Sequence, residues 1–270
     1  LILGATGKTG RRIAQRLETA GLPVRLGSRG ATPRFDWEDR TTWEAALDGI
    51  HAVYLSFQPD LAVPGALETV QEFTDQAVKS GVSKLVLLSG RGEVEAEQAE
   101  RLIQNSGVDW TILRASWFFQ NFSVAHFLGP ILQGELVLPV GHIAEPFIDA
   151  EDIAEIAVEA LTQPDHSGQL SELTGPRALT FAEAVNEIAH ATKREIRFAA
   201  VPPEAYRHAL EQEELPAQLI DLVLYLFTTV LDGRNTPVAD GVQRALGRPA
   251  RDFSDYVRRT AATGVWANEG

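Results

Sequence analysis

Short apolar runs and one-sided helical stripes alternate along the first two-thirds of the chain. "LILGA" is an apolar run that stops at a glycine, the pattern of a buried parallel strand. Behind it Ile13, Leu17 and Ala20 share one helical face, Arg11, Arg12 and Arg16 lie off it, and Gly21 and Pro23 close the helix. The unit then repeats. "AVYLSF" (52–57) predicts a strand, and Pro64 opens a helix whose Leu67, Val70, Phe73 and Ala77 form a stripe ending at Gly81. "KLVLLSG" (84–90) predicts another strand. A helix carrying Val94, Ala99, Leu102 and Ile103 runs to Gly107, and "WTILRA" (110–115) is a strand again. Such alternation predicts a parallel sheet covered on both faces.

One joint departs from the pattern. A third strand is expected at 34–37, about five residues after the second, where a parallel crossover needs about a dozen or more. The expectation is a bare loop in place of the covering helix, the alternative being a stub strand. After residue 132 the alternation loosens. "EPFIDAEDIAEIAVEAL" predicts a strand and then a helix, with Asp149 or Asp152 at its start, and Thr180 and Glu183 have capping-box spacing ahead of another helix. "REIRFAAV" (194–201) is the one clear later strand, "EQEEL" (211–215) reads as a solvated helix face, and "LIDLVLYLFTTVL" (219–231) as a very apolar helix, either core or subunit interface. The fold class is therefore α/β: a doubly wound parallel Rossmann sheet over 1–163 and a smaller helix-rich C-terminal lobe over 164–270. That boundary is approximate, and 134–144 is open to assignment to the lobe.

Composition narrows the chemistry. A net charge of −13, with no cluster of Lys and Arg large enough to track phosphates, argues against nucleic acid as a partner. The absence of cysteine excludes disulfides, thiolate metal sites and a Cys nucleophile, and fits a cytoplasmic protein. No apolar run reaches the length of a membrane span, and no charged-then-apolar leader precedes the first strand. With no methionine present, the chain is expected to begin a residue or two inside that strand. The six histidines have no metal-ligand spacing, so no metal is expected. A monomer or a homodimer is expected.

The stretch GATGKTG (4–10) carries two rival readings. Gly7-Lys8-Thr9 ends like a triphosphatase phosphate loop, but that loop needs a glycine where Ile2 stands. No strand ends in the Asp that would hold magnesium either. The dinucleotide reading works: Gly4 permits the tight turn, Gly7 the approach of a pyrophosphate, and Gly10 close helix–strand packing, with Thr6, Lys8 and Thr9 as added donors. At the end of the second strand, "VRLGSRG" offers Ser28 and Arg29 and no acid for a ribose hydroxyl. A guanidinium pairs with a 2′-phosphate, so NADP(H) is expected over NAD(H). Asp36 suits either the adenine amino group or a turn.

On "LGATGKTGRR", "KLVLLSGRGE", "WTILRASWFFQNF", "EPFIDAEDIAEIAVEAL" and "ELTGPRALTFAEAV", which cover most of residues 1–190 in order, the chain resembles an NmrA-like atypical short-chain dehydrogenase/reductase. Within that group it is most similar to bacterial relatives of the ergot-alkaloid iminium reductases, then to NAD(P)H quinone reductases. The resemblance implies NADP at the C-terminal edge of the sheet and a lobe closing over the nicotinamide. It assigns Gly4, Thr6, Gly7, Lys8, Thr9 and Gly10 to the pyrophosphate and Arg29 to the 2′-phosphate. Phe57 matches the loop after the fourth strand, Ser89 and Gly90 the end of the fifth, and Ser116, Trp117 and Phe118 the segment beside the nicotinamide.

The chain departs from short-chain dehydrogenases in one respect. None of Tyr54, Tyr206, Tyr225 and Tyr256 has Lys four residues later, so the usual proton donor is missing. An iminium ion needs only a hydride, and a reduced quinone can be protonated by water. Either acceptor need only lie flat in a dry pocket. The expected function is therefore NADPH-dependent reduction of a small, flat, apolar, electron-poor acceptor. A non-catalytic NADP-binding redox sensor is the alternative. Tyr54, Phe57, Trp117, Phe118, Phe119, Phe122 and Phe127 supply candidate aromatic walls, most of them core residues. Trp117, Phe118, Phe122 and His126 are the substrate-pocket candidates, and Ser89, with Arg91 behind it, the candidate catalytic polar group.

Overall fold

The structure is a computed structural model that describes residues 1–267. In chain order the elements are β1 (Ile2–Leu3), α1 (Gly10–Thr19), β2 (Leu26–Gly27), α2 (Trp43–Leu47), β3 (Ala52–Leu55), α3 (Ala66–Lys79), β4 (Lys84–Gly90), α4 (Val94–Gln104) and β5 (Asp109–Ala115). Then come α5 (Leu128–Gln133), β6 (Glu135–Leu138), β7 (Ala144–Glu145), α6 (Ala150–Thr162), β8 (Gln169–Leu173), β9 (Leu179–Thr180) and α7 (Phe181–Thr192). The last are β10 (Arg197–Ala200), α8 (Pro203–Gln212), α9 (Ala217–Tyr225), α10 (Gly241–Leu246) and α11 (Phe253–Ala261). No helix among the described residues is long and apolar enough to cross a membrane.

Contacts divide the chain into two compact units that interleave in sequence. The first holds 1–115, 150–173 and 240–248, and the second 116–149, 174–239 and 249–270. A single cut near 163 does not capture this. β8 lies beyond that cut and hydrogen-bonds to β5, and 240–248 returns to the first unit from much later in the chain.

The first unit is a doubly wound parallel sheet of six strands in the order β2-β1-β3-β4-β5-β8. One face carries Trp43, Val70, Phe73, Ala77, Ala96, Ala99 and Ile103 of α2, α3 and α4 against Val53, Leu55, Leu85 and Leu87. Helices α1 and α6 pack together and bury Ile13, Ala14, Leu17, Ile153, Ala154 and Ala157. The expected strand at 34–37 is absent, as stub or otherwise. Its backbone is occupied elsewhere: the Phe35 amide donates to Ser28 O at 3.0 Å, the Asp36 amide to Thr42 Oγ1 at 3.0 Å, and Asp36 O accepts from Trp43 Nε1 at 2.8 Å. The segment instead places Phe35 and Trp37 edge-on to Phe73, with ring centroids 5.6 and 5.1 Å away, so side-chain burial wins over strand pairing.

The second unit has two small sheets, β6 with β10 in parallel and β7 with β9 antiparallel. Its helices α5, α7, α8, α9 and α11 make it helix-rich. The expected strand at 194–201 forms over the four residues of β10, and α7 starts with the Thr180–Glu183 capping box read from the sequence. In the apolar run 219–231, Ile220, Leu222, Leu224, Phe227, Val230 and Leu231 are buried, and Ile220, Leu224, Phe227 and Leu231 belong to this unit's own clusters. The tract at 211–214 is exposed.

Candidate cofactor and substrate site

The glycine loop is built as a cradle. Gly4 has φ +65°, a conformation that suits a residue without Cβ, and the Gly7 amide donates to Gly4 O at 2.8 Å to close the turn. A Cβ on Gly10 would lie 2.3 Å from Gly4 O and 2.7 Å from Gly4 C, so the start of α1 is pressed against the strand end. The Thr9 and Gly10 amides donate to no group among the described residues, as at any helix start, and the helix dipole adds positive potential there. Burial pushes the Lys8 ammonium below its usual range, a cost that a nearby anion would relieve. The shape and the donor set both suit a pyrophosphate.

Two supports of this loop escape a motif search. Tyr54, buried on β3, donates from its hydroxyl to Thr9 Oγ1 at 2.9 Å, which leaves the Thr9 proton available to another acceptor. Arg12 donates to Lys8 O at 2.6 Å and to Glu151 of α6 at 2.6 Å, and Arg16 pairs with the other Glu151 oxygen at 2.6 Å. Burial alone would raise the Glu151 carboxyl, but Arg16 and Arg12 hold it below its usual range.

Beyond β2, Ser28 is half-buried, and its carbonyl receives both Ala31 N and Phe35 N. Arg29 is exposed and makes no hydrogen bond or ion pair among the described residues. Asp36 performs its turn role: Oδ1 accepts from Glu38 N at 3.2 Å and Oδ2 pairs with Arg34 at 2.6 Å. Phe57, half-buried, packs on Trp37 with centroids 4.9 Å apart.

At the end of β4 the structure differs from the sequence reading. Ser89 is buried and donates to Glu100 Oε1 of α4 at 2.6 Å. Arg114 of β5 donates to the same oxygen at 2.8 Å and to Glu172 of β8 at 3.2 Å, and Arg91 pairs with Glu172 at 3.3 Å. The candidate catalytic hydroxyl is thus committed to a network that ties β4, β5, β8 and α4 together, and Arg91 to the same network.

Gly90 has a neighbour no spacing rule would find. Glu93 is the N-cap residue of α4, yet its side chain makes no cap bond. It folds back so that a Cβ on Gly90 would lie 2.0 Å from its Oε1. Glu93 is 9% exposed and hydrogen-bonds Asp60, which itself accepts from Ala62 N at 2.9 Å. Burial, then the Asp60 carboxylate, pushes the Glu93 carboxyl up to about 9.

In the second unit, Ser116 Oγ is buried and has no hydrogen-bond partner among the described residues. Trp117, half-buried, packs its ring on Phe227 at 5.0 Å and edge-on to Phe181 at 5.9 Å. Phe118 is half-buried, and its backbone bridges to Ile148. Phe122 must be withdrawn as a pocket residue: it is fully buried and surrounded by Phe127, Phe147, Phe181 and Phe253 within 6.0 Å, so its ring is core. Phe119 and Phe127 are core as well. His126 is exposed in the 3₁₀ turn Ala125–Phe127. No group of three or more His, Asp or Glu among the described residues is arranged to hold a metal ion.

No family model matches the chain. It is similar to the uncharacterized oxidoreductase YesF of Bacillus subtilis, 32% identical over 98% of this chain and 97% of the relative. An NAD(P)H azoreductase of Xenophilus azovorans is 29% identical over 97% of this chain and 98% of its own length. Among solved structures, the NADPH-dependent quinone oxidoreductase QOR2 of Escherichia coli, complexed with NADPH, has the same fold: TM-score 0.79, 18% identity, 96% of this chain and 98% of the other covered.

Proposed function

The chain belongs to the NmrA-like atypical short-chain dehydrogenases/reductases and is an NAD(P)H-dependent oxidoreductase, and we propose that it reduces a small, flat, electron-poor acceptor, preferentially with NADPH. A quinone, an azo compound or a cyclic iminium fits that description. The observation that carries the reading is the cradle in which Gly10 is pressed against Gly4 at the head of α1, with an unpaired Arg29 beyond β2. Gly4, Thr6, Gly7, Lys8, Thr9 and Gly10 hold the pyrophosphate. Arg29, with Ser28, takes the 2′-phosphate, since its fork of donors matches a phosphate and the neighbouring Asp36 carboxylate is already paired with Arg34. Bound NADPH supplies the hydride.

For the acceptor we assign Trp117 and Phe118, both half-buried and able to offer a flat apolar surface. Ser89 and Gly90 contribute by shaping the end of β4. The relatives support this class of acceptor: one is named an NAD(P)H azoreductase. The test is NADPH consumption by the purified protein against a panel of quinones, azo dyes and cyclic iminium ions, with NADH in parallel. Turnover faster with NADPH is expected. No consumption with any acceptor would sink the reading.

A further inference from the structure

A quinone or an azo compound that takes a hydride is left with negative charge on oxygen or nitrogen, and a proton must follow. The chain lacks the Tyr-x-x-x-Lys that would supply it. We propose that Glu93, hydrogen-bonded to Asp60 and folded onto Gly90, is the proton donor of the reaction, a proposal that rests on the reductase reading.

Three observations carry it. First, the two carboxyls are in hydrogen-bond contact, and no Lys or Arg pairs with either among the described residues. Two carboxylates so close cannot both ionise cheaply, so one proton is held between them. The other titratable group facing the pair is Glu95, in the first turn of α4, which is also acidic and favours the protonated form. Second, the position is built for the side chain. Gly90 leaves the space that any Cβ would take, and Glu93 forgoes the helix cap its place in the chain invites. Third, Asp60 follows β3 and Glu93 follows β4, so both lie at the C-terminal edge of the strands, as does the glycine loop that follows β1. That edge is where open parallel sheets bind their ligands.

The step balances simply. The acceptor gains a hydride at one atom. The O–H bond of Glu93 breaks with its electron pair left on the carboxylate, and a new bond to hydrogen forms at the heteroatom carrying the negative charge. Solvent then restores the proton, with Asp60 sharing it. The inference narrows the acceptor to one that needs this proton, a quinone or azo compound rather than an iminium.

The test has an arm that needs no nucleotide. Carbon-13 NMR of glutamate-labelled, nucleotide-free protein, assigned by comparison with E93Q, should show the Glu93 carboxyl titrating well above neutrality. Titration in the ordinary carboxylate range would overturn the proposal. In the kinetic arm, with a quinone and NADPH, E93Q should lower kcat about a hundredfold, the lower end for a lost general acid. The NADPH dissociation constant should stay within about twofold, since this residue is not assigned to the nucleotide, and the alkaline limb of the pH–rate profile should disappear. D60N keeps Glu93 and removes the neighbouring charge, so it should move that limb to lower pH. Unchanged turnover and an unchanged limb in E93Q, with an active wild type, would overturn the proton role alone. A wild type inactive with every acceptor would overturn the reductase reading and the role with it.

Discussion

The Cβ that alanine would place on residue 10 falls 2.3 Å from the carbonyl oxygen of Gly4. Both groups are backbone, so neither can swing aside as a side chain would. Gly10→Ala must open the turn out of β1 or lift the head of α1. We expect a loss of about 1–3 kcal/mol in stability, the usual cost of overpacking, and loss of measurable NADPH binding. At Gly7 the added Cβ meets Gly4 O at 3.1 Å, so Gly7→Ala should be milder in stability. Denaturant midpoints and fluorescence titration with NADPH check both. A Gly10→Ala protein that binds NADPH like wild type would remove the loop from the nucleotide site.

Ser89 and Glu100 give a second prediction. The hydroxyl has one proton, and it goes to Glu100 Oε1. Ser89→Ala should therefore cost about 1.5–3 kcal/mol, the range for a hydrogen bond to a charged group, and leave kcat nearly unchanged. Glu100→Ala should cost more, about 3–5 kcal/mol, because Arg114 loses its buried partner. Thermal melts alongside steady-state kinetics separate the two. A tenfold or larger drop in kcat for Ser89→Ala, at unchanged stability, would return that hydroxyl to the reaction.

These two cases mark what a sequence can disclose. The strands β1, β3, β4 and β5 were legible because each carries a short apolar run. The glycine loop was legible because its chemistry is local. "QLSEL" of β8 was not, since it lies at the sheet edge, pairs only with β5, and has neither an apolar run nor a strict alternation to announce it. The false strand at 34–37 has the opposite cause: Phe35 and Trp37 alternate as strand residues do, but their rings answer to Trp43 and Phe73. Ser89 with Glu100 and Asp60 with Glu93 are juxtapositions made by the sheet, and no spacing along the chain announces them.

Glu93 also bears on stability. Its folded-state pKa lies near 9, above that of an exposed glutamate. Between those two values the native state binds the proton more tightly than the unfolded chain does. Stability from this group is therefore full at low pH and declines as pH rises toward 9. Glutamine is neutral throughout and keeps a donor for Asp60. The melting temperature of E93Q relative to wild type should rise steadily from pH 5 to about pH 9. A difference that stays flat over that range would mean that Glu93 is ionised in the folded protein.

Arg29 offers the direct test of the proposed preference for NADPH. It is exposed and makes no hydrogen bond or ion pair among the described residues. The nearest acid by charge, Asp36, is already paired with Arg34 at 2.6 Å. A guanidinium in that position gains a doubly charged 2′-phosphate without giving up a protein partner, and gains little from a bare ribose hydroxyl. A charged hydrogen bond of this type contributes about 1.5–3 kcal/mol, which converts to roughly tenfold to a hundredfold in kcat/KM. Arg29→Ala should therefore erode the NADPH over NADH preference by that factor, with the NADH value almost unmoved. Steady-state kinetics with both cofactors at fixed acceptor supply the ratio. Because the phosphate contact is electrostatic and partly exposed, the wild-type preference should also shrink as salt is raised, and that of Arg29→Ala should not. Equal losses with both cofactors would instead mean that Arg29 supports the loop after β2 and reads no phosphate.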